Sequence, residues 1–128
     1  MQKETLRYLR SVPGFWYMAT PYSKFYAGRE AAHAQACSVA GCLTRHGVTV
    51  YSPIAHSHEI AKSAAIDTDA AAWAEPNRTM LASAGGLIVV TMHGWLESVG
   101  VLAEIGYAKW LELPTVILAP AEVRGAVR

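Results

Sequence analysis

Charged residues and cysteines are scarce in this chain. Of its 128 residues, 16% are charged and 52% are hydrophobic, and the formal net charge is +1. No run of Lys and Arg forms a basic patch, which argues against a nucleic acid polymer or an anionic membrane as the partner. The cysteines, Cys37 and Cys42, form no Cys-x-x-Cys motif and are too few for a disulfide framework, so we expect buried free thiols. Small ligands or protein partners fit this composition better.

Long apolar runs and nucleotide-binding signatures are also missing. No stretch reaches the ~18 uninterrupted apolar residues of a membrane span, and the N-terminal segment has basic residues but no apolar h-region. We therefore expect a cytoplasmic protein. Neither G-x-G-x-x-G nor a Walker A motif is present, which disfavours a dinucleotide-binding domain and a P-loop NTPase.

Short apolar runs alternate with helical patterns along the chain. Strands buried on both faces are predicted over residues 15–19, 48–51, 87–91 and 115–118. Helices are predicted over residues 27–45, 69–84 (interrupted by Pro76) and 98–111. This alternation predicts an α/β fold: a three-layer α/β/α sandwich whose mainly parallel, doubly wound sheet of four to five strands is flavodoxin-like or Rossmann-like.

We expect one domain over residues 1–128, with residues 1–12 as a peripheral helix and residues 120–128 as a tail. Ligands of such sheets bind beyond the carboxyl ends of the strands. That rule points to three loops, which span residues 20–28, 52–69 and 92–98.

The first loop is polar and leads into a helix. Thr20, Tyr22, Ser23 and Arg29 lie in it or directly after it. Hydroxyls and a cation at a helix N-terminus suit an anionic ligand group. An ordinary polar turn has the same composition, so both interpretations stay open.

The second loop contains two histidines. In an extended chain His56 and His58 would face the same way, as metal ligands do, and Asp67 and Asp69 could add oxygen ligands. Their spacing matches no known zinc signature, and we predict no metal site. The histidines could instead line a pocket for a base or a sugar, or be exposed.

A single carboxylate, Glu104, lies within the apolar helical pattern that follows the third strand. Ser98 is placed to cap this helix, and Gly100 lets a ligand approach the backbone closely. Glu104 lies one to two turns into the helix, where the positive end of the helix dipole would help to keep it ionised. An ionised carboxylate in a sheltered cleft suits a nucleophile. A structural glutamate paired with backbone or with an arginine is the alternative.

These residues together resemble a known family. Tyr17 at the end of the first strand, S-P-I-A-H-S-H at residues 52–58, and G-W-x-x-S-x-G-x-x-x-E-x-x-x-A from Gly94 to Ala108 are similar to the nucleoside 2-deoxyribosyltransferase-like superfamily. That superfamily includes deoxyribonucleoside 5′-monophosphate N-glycosidases, cytidylate hydrolases, and small bacterial and phage proteins of unknown function. The resemblance extends from about residue 15 to residue 118.

The resemblance implies a role for each matching residue. Glu104 would attack C1′ of the sugar and form a glycosyl ester as the base departs, and Tyr17 would hold that glutamate or the sugar. Ser98 and Gly100 would hold the sugar or a 5′-phosphate. The loop over residues 22–29 would close over the nucleotide.

Two positions depart from the pattern of the family. Its members usually carry an aspartate eight residues before another aspartate, and here those positions are Asn77 and Gly85. Asn77 can hydrogen-bond a sugar or a base, but it cannot act as an acid. Losing a general acid typically costs ~10²- to 10⁴-fold in rate. Slow catalysis, another proton donor such as His56, Asp67 or Asp69, and a binding or sensing module without catalysis therefore all stay open.

The resemblance also implies partners and cofactors. The expected substrate is a nucleoside or nucleoside 5′-monophosphate, cleaved by hydrolysis or by transfer to a second base without metal or organic cofactor. Trp95 would shape the pocket wall. A homodimer or larger homo-oligomer is expected, and a neighbour often completes the site. A metal-dependent hydrolase that uses His56 and His58 is a less favoured alternative.

Overall fold

Residues 1–125, the part of the chain that the computed structural model describes, contain four strands and six helices. The elements are α1 (Lys3–Ser11), β1 (Trp16–Ala19), α2 (Arg29–Arg45), β2 (Val50–Tyr51), α3 (Pro53–Ala64), α4 (Ala70–Ala82), β3 (Gly86–Val90), α5 (Val99–Trp110), β4 (Thr115–Leu118) and α6 (Pro120–Arg124). The sheet is parallel throughout and has the order β2-β1-β3-β4. The predicted α/β fold is thus confirmed. The strand order reverses between β1 and β3, because β2 lies on one side of β1 while β3 and β4 lie on the other. A crevice forms at such a point, at the carboxyl ends of the strands.

Both faces of the central strands are buried. Because successive side chains of a strand point to opposite faces, Trp16 and Met18 of β1 pack with α1, α2 and α6. Tyr17 and Ala19 pack on the other face with residues of α4 and α5. These two cores are the two interfaces of a three-layer sandwich, and they place the Tyr17 side chain on the same side as α5.

The outer strand β4 is more exposed than we predicted. Ile117 is 55% exposed, and Thr115 is exposed as well. The expectation that every strand is buried on both faces was therefore wrong for β4, because it pairs only with β3 at the edge of the sheet. It was also wrong for β2 at the other edge, whose two residues are only partly buried. Apolar composition alone does not distinguish a central strand from an edge strand.

A helix, α3, occupies most of the segment that we predicted to be a loop. Ser52 caps it by accepting a hydrogen bond from the amide of Ala55 at 3.1 Å, and Pro53 has a φ suited to the first turn. The helix ends at Ala65, which has a φ of 53°. The Ser-Pro pair was the signal that our interpretation of the segment missed.

The two terminal segments are not peripheral. Leu6 and Leu9 of α1 are buried, and the Trp16 indole donates to the Leu9 carbonyl at 2.8 Å. Residues 120–124 form α6, with Val123 buried in the same core, so they are not a tail. The rest of the predicted tail, residues 126–128, lies outside the described residues.

Two smaller expectations also changed. Helix α4 continues through Pro76 without the interruption that we predicted, although proline removes one helical hydrogen bond. Both cysteines are free as expected, but Cys37 is exposed and Cys42 is only partly buried. Within residues 1–125, no helix combines the length and the apolar character that crossing a membrane requires.

Candidate active site

A cavity of about 530 Å³ opens beside the carboxyl ends of β1 and β3 and between α4 and α5. This volume is within the ~300–1,000 Å³ typical of small-molecule sites. Eight of the residues that we predicted for the site line it: Thr20, Tyr22, Ser23, Arg29, Asn77, Ser98, Gly100 and Glu104. These residues come from the segment after β1, from α4, and from the start of α5. The position of the cavity follows the rule for doubly wound sheets.

Glu104 lines this cavity and is in direct contact with the buried Tyr17. The Tyr17 hydroxyl donates a hydrogen bond to Oε2 of Glu104. Tyr17 is fully buried in β1, and Glu104 is partly buried on α5. Burial, followed by the nearby charge of Glu104, raises the pKa of Tyr17 far above its usual range. The phenol therefore stays protonated and acts as a donor to the carboxylate.

Burial also changes the charge state of Glu104. Desolvation raises its pKa from 4.5 to about 7, and the hydrogen bond from Tyr17 opposes that shift. Our expectation that the helix dipole would keep this carboxylate ionised was therefore wrong. The dipole acts mainly within the first turn, and Glu104 lies beyond that turn, among apolar side chains such as Leu81 and Val101.

The N-terminus of α5 faces the cavity. Ser98 is buried and caps the helix, because its Oγ accepts from the amide of Val101 at 3.2 Å. Val99 and Gly100 line the cavity, and the amides of a first helical turn have no partner within the helix. This end of α5 can hold an anionic or polar ligand group through backbone amides.

The segment after β1 forms the opposite rim. Thr20 is buried, and its Oγ1 has no hydrogen-bond partner within the described part of the chain. Arg29 lies over the Tyr22 ring, 5.5 Å from its centroid, and donates to Thr68 Oγ1 at 3.0 Å. A free buried hydroxyl and a cation therefore border the same space.

Helix α4 and its N-cap contribute two further residues, of which sequence reasoning missed Arg78 and named Asp69 only as a possible metal ligand or proton donor. Arg78 lines the cavity beside Asn77, while its guanidinium donates to Glu75 at 3.0 Å and lies 5.8 Å from the Tyr107 ring centroid. Asp69 lines the cavity too, and its carboxylate caps α4 by accepting from the Ala72 amide at 2.8 Å. Their positions follow from the course of α4 over α5, which no local pattern in the sequence encodes.

Four predicted site residues do not line the cavity: Tyr17, which contacts Glu104 from behind it, and His56, His58 and Trp95. His56 and His58 are two positions apart on helix α3, so they point in different directions. His56 is exposed beside Tyr51 and Trp73, whereas His58 is buried beside Tyr22. The paired arrangement expected from an extended chain was wrong. Trp95 packs against the core that contains Tyr17 rather than forming the pocket wall.

The fold and the site together define an α/β protein with a parallel sheet. Its cavity contains a carboxylate and lies between β1 and β3, where the strand order reverses. The chain belongs to the DUF1937 family, described as a domain of unknown function, whose model matches residues 14–119. Among curated proteins, none matches this chain. The matched range contains all four strands and every cavity residue named above.

Proposed function

We propose that this protein cleaves the N-glycosidic bond of a nucleoside or nucleoside 5′-monophosphate, with Glu104 as the nucleophile. The observation that carries this proposal is the contact between Glu104, which lines a ligand-sized cavity, and the buried Tyr17 hydroxyl. The resemblance to the nucleoside 2-deoxyribosyltransferase-like superfamily rests on the same two residues and on Ser98 and Gly100. Family membership alone adds no activity, because the family is one of unknown function.

The reaction follows from the chemistry of a buried carboxylate. As the bond between C1′ and the base breaks, positive charge develops on the sugar, and an adjacent carboxylate stabilises it. A Glu104 oxygen then bonds to C1′, while the base departs with the bonding electrons and takes a proton from water. Water, or a second base, attacks C1′ and releases Glu104. Tyr17 orients the carboxylate throughout.

The pKa of Glu104 gives this reaction a defined pH dependence. Desolvation raises that pKa to about 7, and only the ionised form is a nucleophile. We expect kcat/KM to increase as the pH rises through about 7, because this parameter reports groups of the free enzyme. A profile that falls over this range would require Glu104 to act as an acid instead.

Two arginines favour a phosphorylated substrate. Arg29 and Arg78 both line the cavity, as does the N-terminus of α5 at Val99 and Gly100. Guanidinium groups and helix N-termini both bind phosphate oxygens well. We expect Arg78→Met to raise KM for a nucleoside 5′-monophosphate while leaving KM for the matching nucleoside nearly unchanged.

The direct test is release of free base from a panel of ribo- and deoxyribonucleosides and their 5′-monophosphates, followed by chromatography. We expect release by the wild type and by Glu97→Gln, and none above background by Glu104→Gln. Glu97 is an exposed glutamate outside the cavity, so it is a matched control. Absence of release from every substrate, or full activity in Glu104→Gln, would refute the proposal.

A second candidate is a nucleotide-binding or sensing module without catalysis. It is favoured by Asn77, which lines the cavity at a position where the family resemblance expects an acid. This function predicts binding by calorimetry with no turnover, and a gain of ~10²- to 10⁴-fold in activity with Asn77→Asp. Efficient turnover by the wild type would rule it out.

A further inference from the structure

A second group of polar side chains lies outside the cavity, between α2 and α3. Glu30 and His33 come from α2 and His58 from α3, and one nitrogen or oxygen of each lies within 4.8 Å of those of the other two. Glu30 and His33 are one helical turn apart and share a face of α2. Two imidazoles and one carboxylate form a donor set that suits Zn²⁺.

The position of the His58 side chain suits a metal ligand. Its side chain is only 6% exposed, and its Nε2 lies 3.2 Å from Oε1 of Glu30. With a protonated imidazole this contact is an ion pair, but it does not have the geometry of a hydrogen bond within the described residues, and buried polar atoms rarely lack such a bond. Bonds of about 2.0–2.1 Å at tetrahedral angles separate two zinc ligands by about 3.3 Å. The His58 and Glu30 atoms are therefore spaced like two ligands of one ion.

The other nitrogen of His58 is also held as a metal-binding histidine requires. Its Nδ1 lies 2.6 Å from the Tyr22 hydroxyl. When Nδ1 carries the proton and donates it to that oxygen, Nε2 presents a lone pair toward Glu30 and His33. Hydrogen bonds of this kind fix the tautomer and orientation of metal ligands. The His33 ring stacks on His58 with the ring centroids 4.2 Å apart and the planes inclined by 17°, so the His33 ring has to turn about its side-chain bonds for both lone pairs to point at one ion.

Two neighbouring groups bear on ion binding. The Lys62 ammonium lies 3.5 Å from Oε1 of Glu30, but its side chain is 62% exposed and can turn toward solvent. The Cys37 sulfur lies 3.5 Å from Nε2 of His33, although it is not part of the three-residue group.

We propose that Glu30, His33 and His58 bind one Zn²⁺ ion, with water as the fourth ligand. The ion links α2 to α3. Through the bond between His58 and Tyr22 it also supports a side chain that lines the cavity. The site is therefore a positioning element beside the cavity, independent of the reaction proposed for Glu104.

Calorimetric titration of the full chain with ZnCl₂, after dialysis against chelator, tests this site. We expect one ion per chain in the wild type, with thermal unfolding shifted to higher temperature by zinc. His33→Ala and Glu30→Gln should each weaken binding by at least about 100-fold, which exceeds the effect of losing an outer partner. His56→Ala changes an exposed histidine of the same helix α3 and should bind zinc like the wild type.

Two further readouts make the result decisive. Co²⁺ bound at the site should give the visible absorption of a four-coordinate ion, and Glu30→Gln keeps the test valid if His33→Ala does not fold. Substoichiometric binding by the wild type would overturn the proposal. So would a zinc affinity that His33→Ala and Glu30→Gln leave unchanged, or one that His56→Ala reduces equally.

Discussion

Glu104 should lower the stability of the folded protein when it is ionised. Its pKa is about 7 in the folded state against a usual value of 4.5, so the folded protein binds the proton more tightly than the unfolded chain. The stabilisation that this gives is fully present below pH 4.5 and is lost as the pH rises through about 7. At about 1.4 kcal/mol per pKa unit, the loss is roughly 3 kcal/mol.

The variant Glu104→Gln isolates this effect. Glutamine does not titrate, and its side-chain oxygen can still accept the hydrogen bond from Tyr17. Between about pH 4 and pH 8, the free energy of unfolding of the variant should therefore rise by roughly 3 kcal/mol relative to that of the wild type. Urea denaturation at both pH values measures this difference, and other titrating groups cancel because the two proteins share them.

The control is Glu97→Gln, which changes an exposed carboxylate near the start of α5. Its difference from the wild type should be nearly the same at both pH values. If Glu104→Gln also showed a difference independent of pH, Glu104 would titrate alike in the folded and unfolded states. The account of a desolvated carboxylate in the cavity would then be wrong.

Three further predictions concern the same region. Tyr17→Phe removes the hydrogen bond that lowers the pKa of Glu104, so the pH at which the stability falls should move above about 7 in urea denaturation; an unchanged pH would contradict the contact. Ser98→Ala removes the cap of α5 and should lower the free energy of unfolding by ~0.5–2 kcal/mol, whereas no loss would exclude a capping role. Leu102 and Trp110 are 48% and 76% exposed on α5, and the expected homo-oligomer could use this face. Light scattering should then give a multiple of 13.8 kDa for the wild type and the monomer mass for Leu102→Glu. A monomeric wild type would contradict the expectation.

The sequence predicted the layers of the fold because its central strands are unambiguous. The runs around Trp16 and Ile88 are apolar at every position, which occurs when a parallel strand is covered on both faces. The bounds of α5 followed from Ser98, a helix cap, and from Pro114 beyond its end. Helix α3 was missed because His56 and His58 suggested an extended loop, while the Ser52 and Pro53 signal was overlooked.

Tertiary features of the site were less accessible from the sequence. Glu104 stood out because a single acid in an apolar helix is unusual, but the raised pKa depends on how completely the surrounding side chains exclude water. Arg78 reaches the cavity only because α4 packs on α5. Likewise, His33 meets His58 only because α2 packs on α3. Contacts between separate elements of this kind leave no local pattern along the chain.

The most direct measurement of the central claim is mass spectrometry of the protein after rapid acid quench during turnover of a nucleoside 5′-monophosphate. Cleavage at Arg78 and Lys109 releases one peptide that contains Glu104. We predict that this peptide gains the mass of the phosphorylated sugar, that the modified residue is Glu104, and that Glu104→Gln gains nothing. Base release without any adduct, together with turnover by Glu104→Gln, would contradict the assignment of Glu104 as the nucleophile.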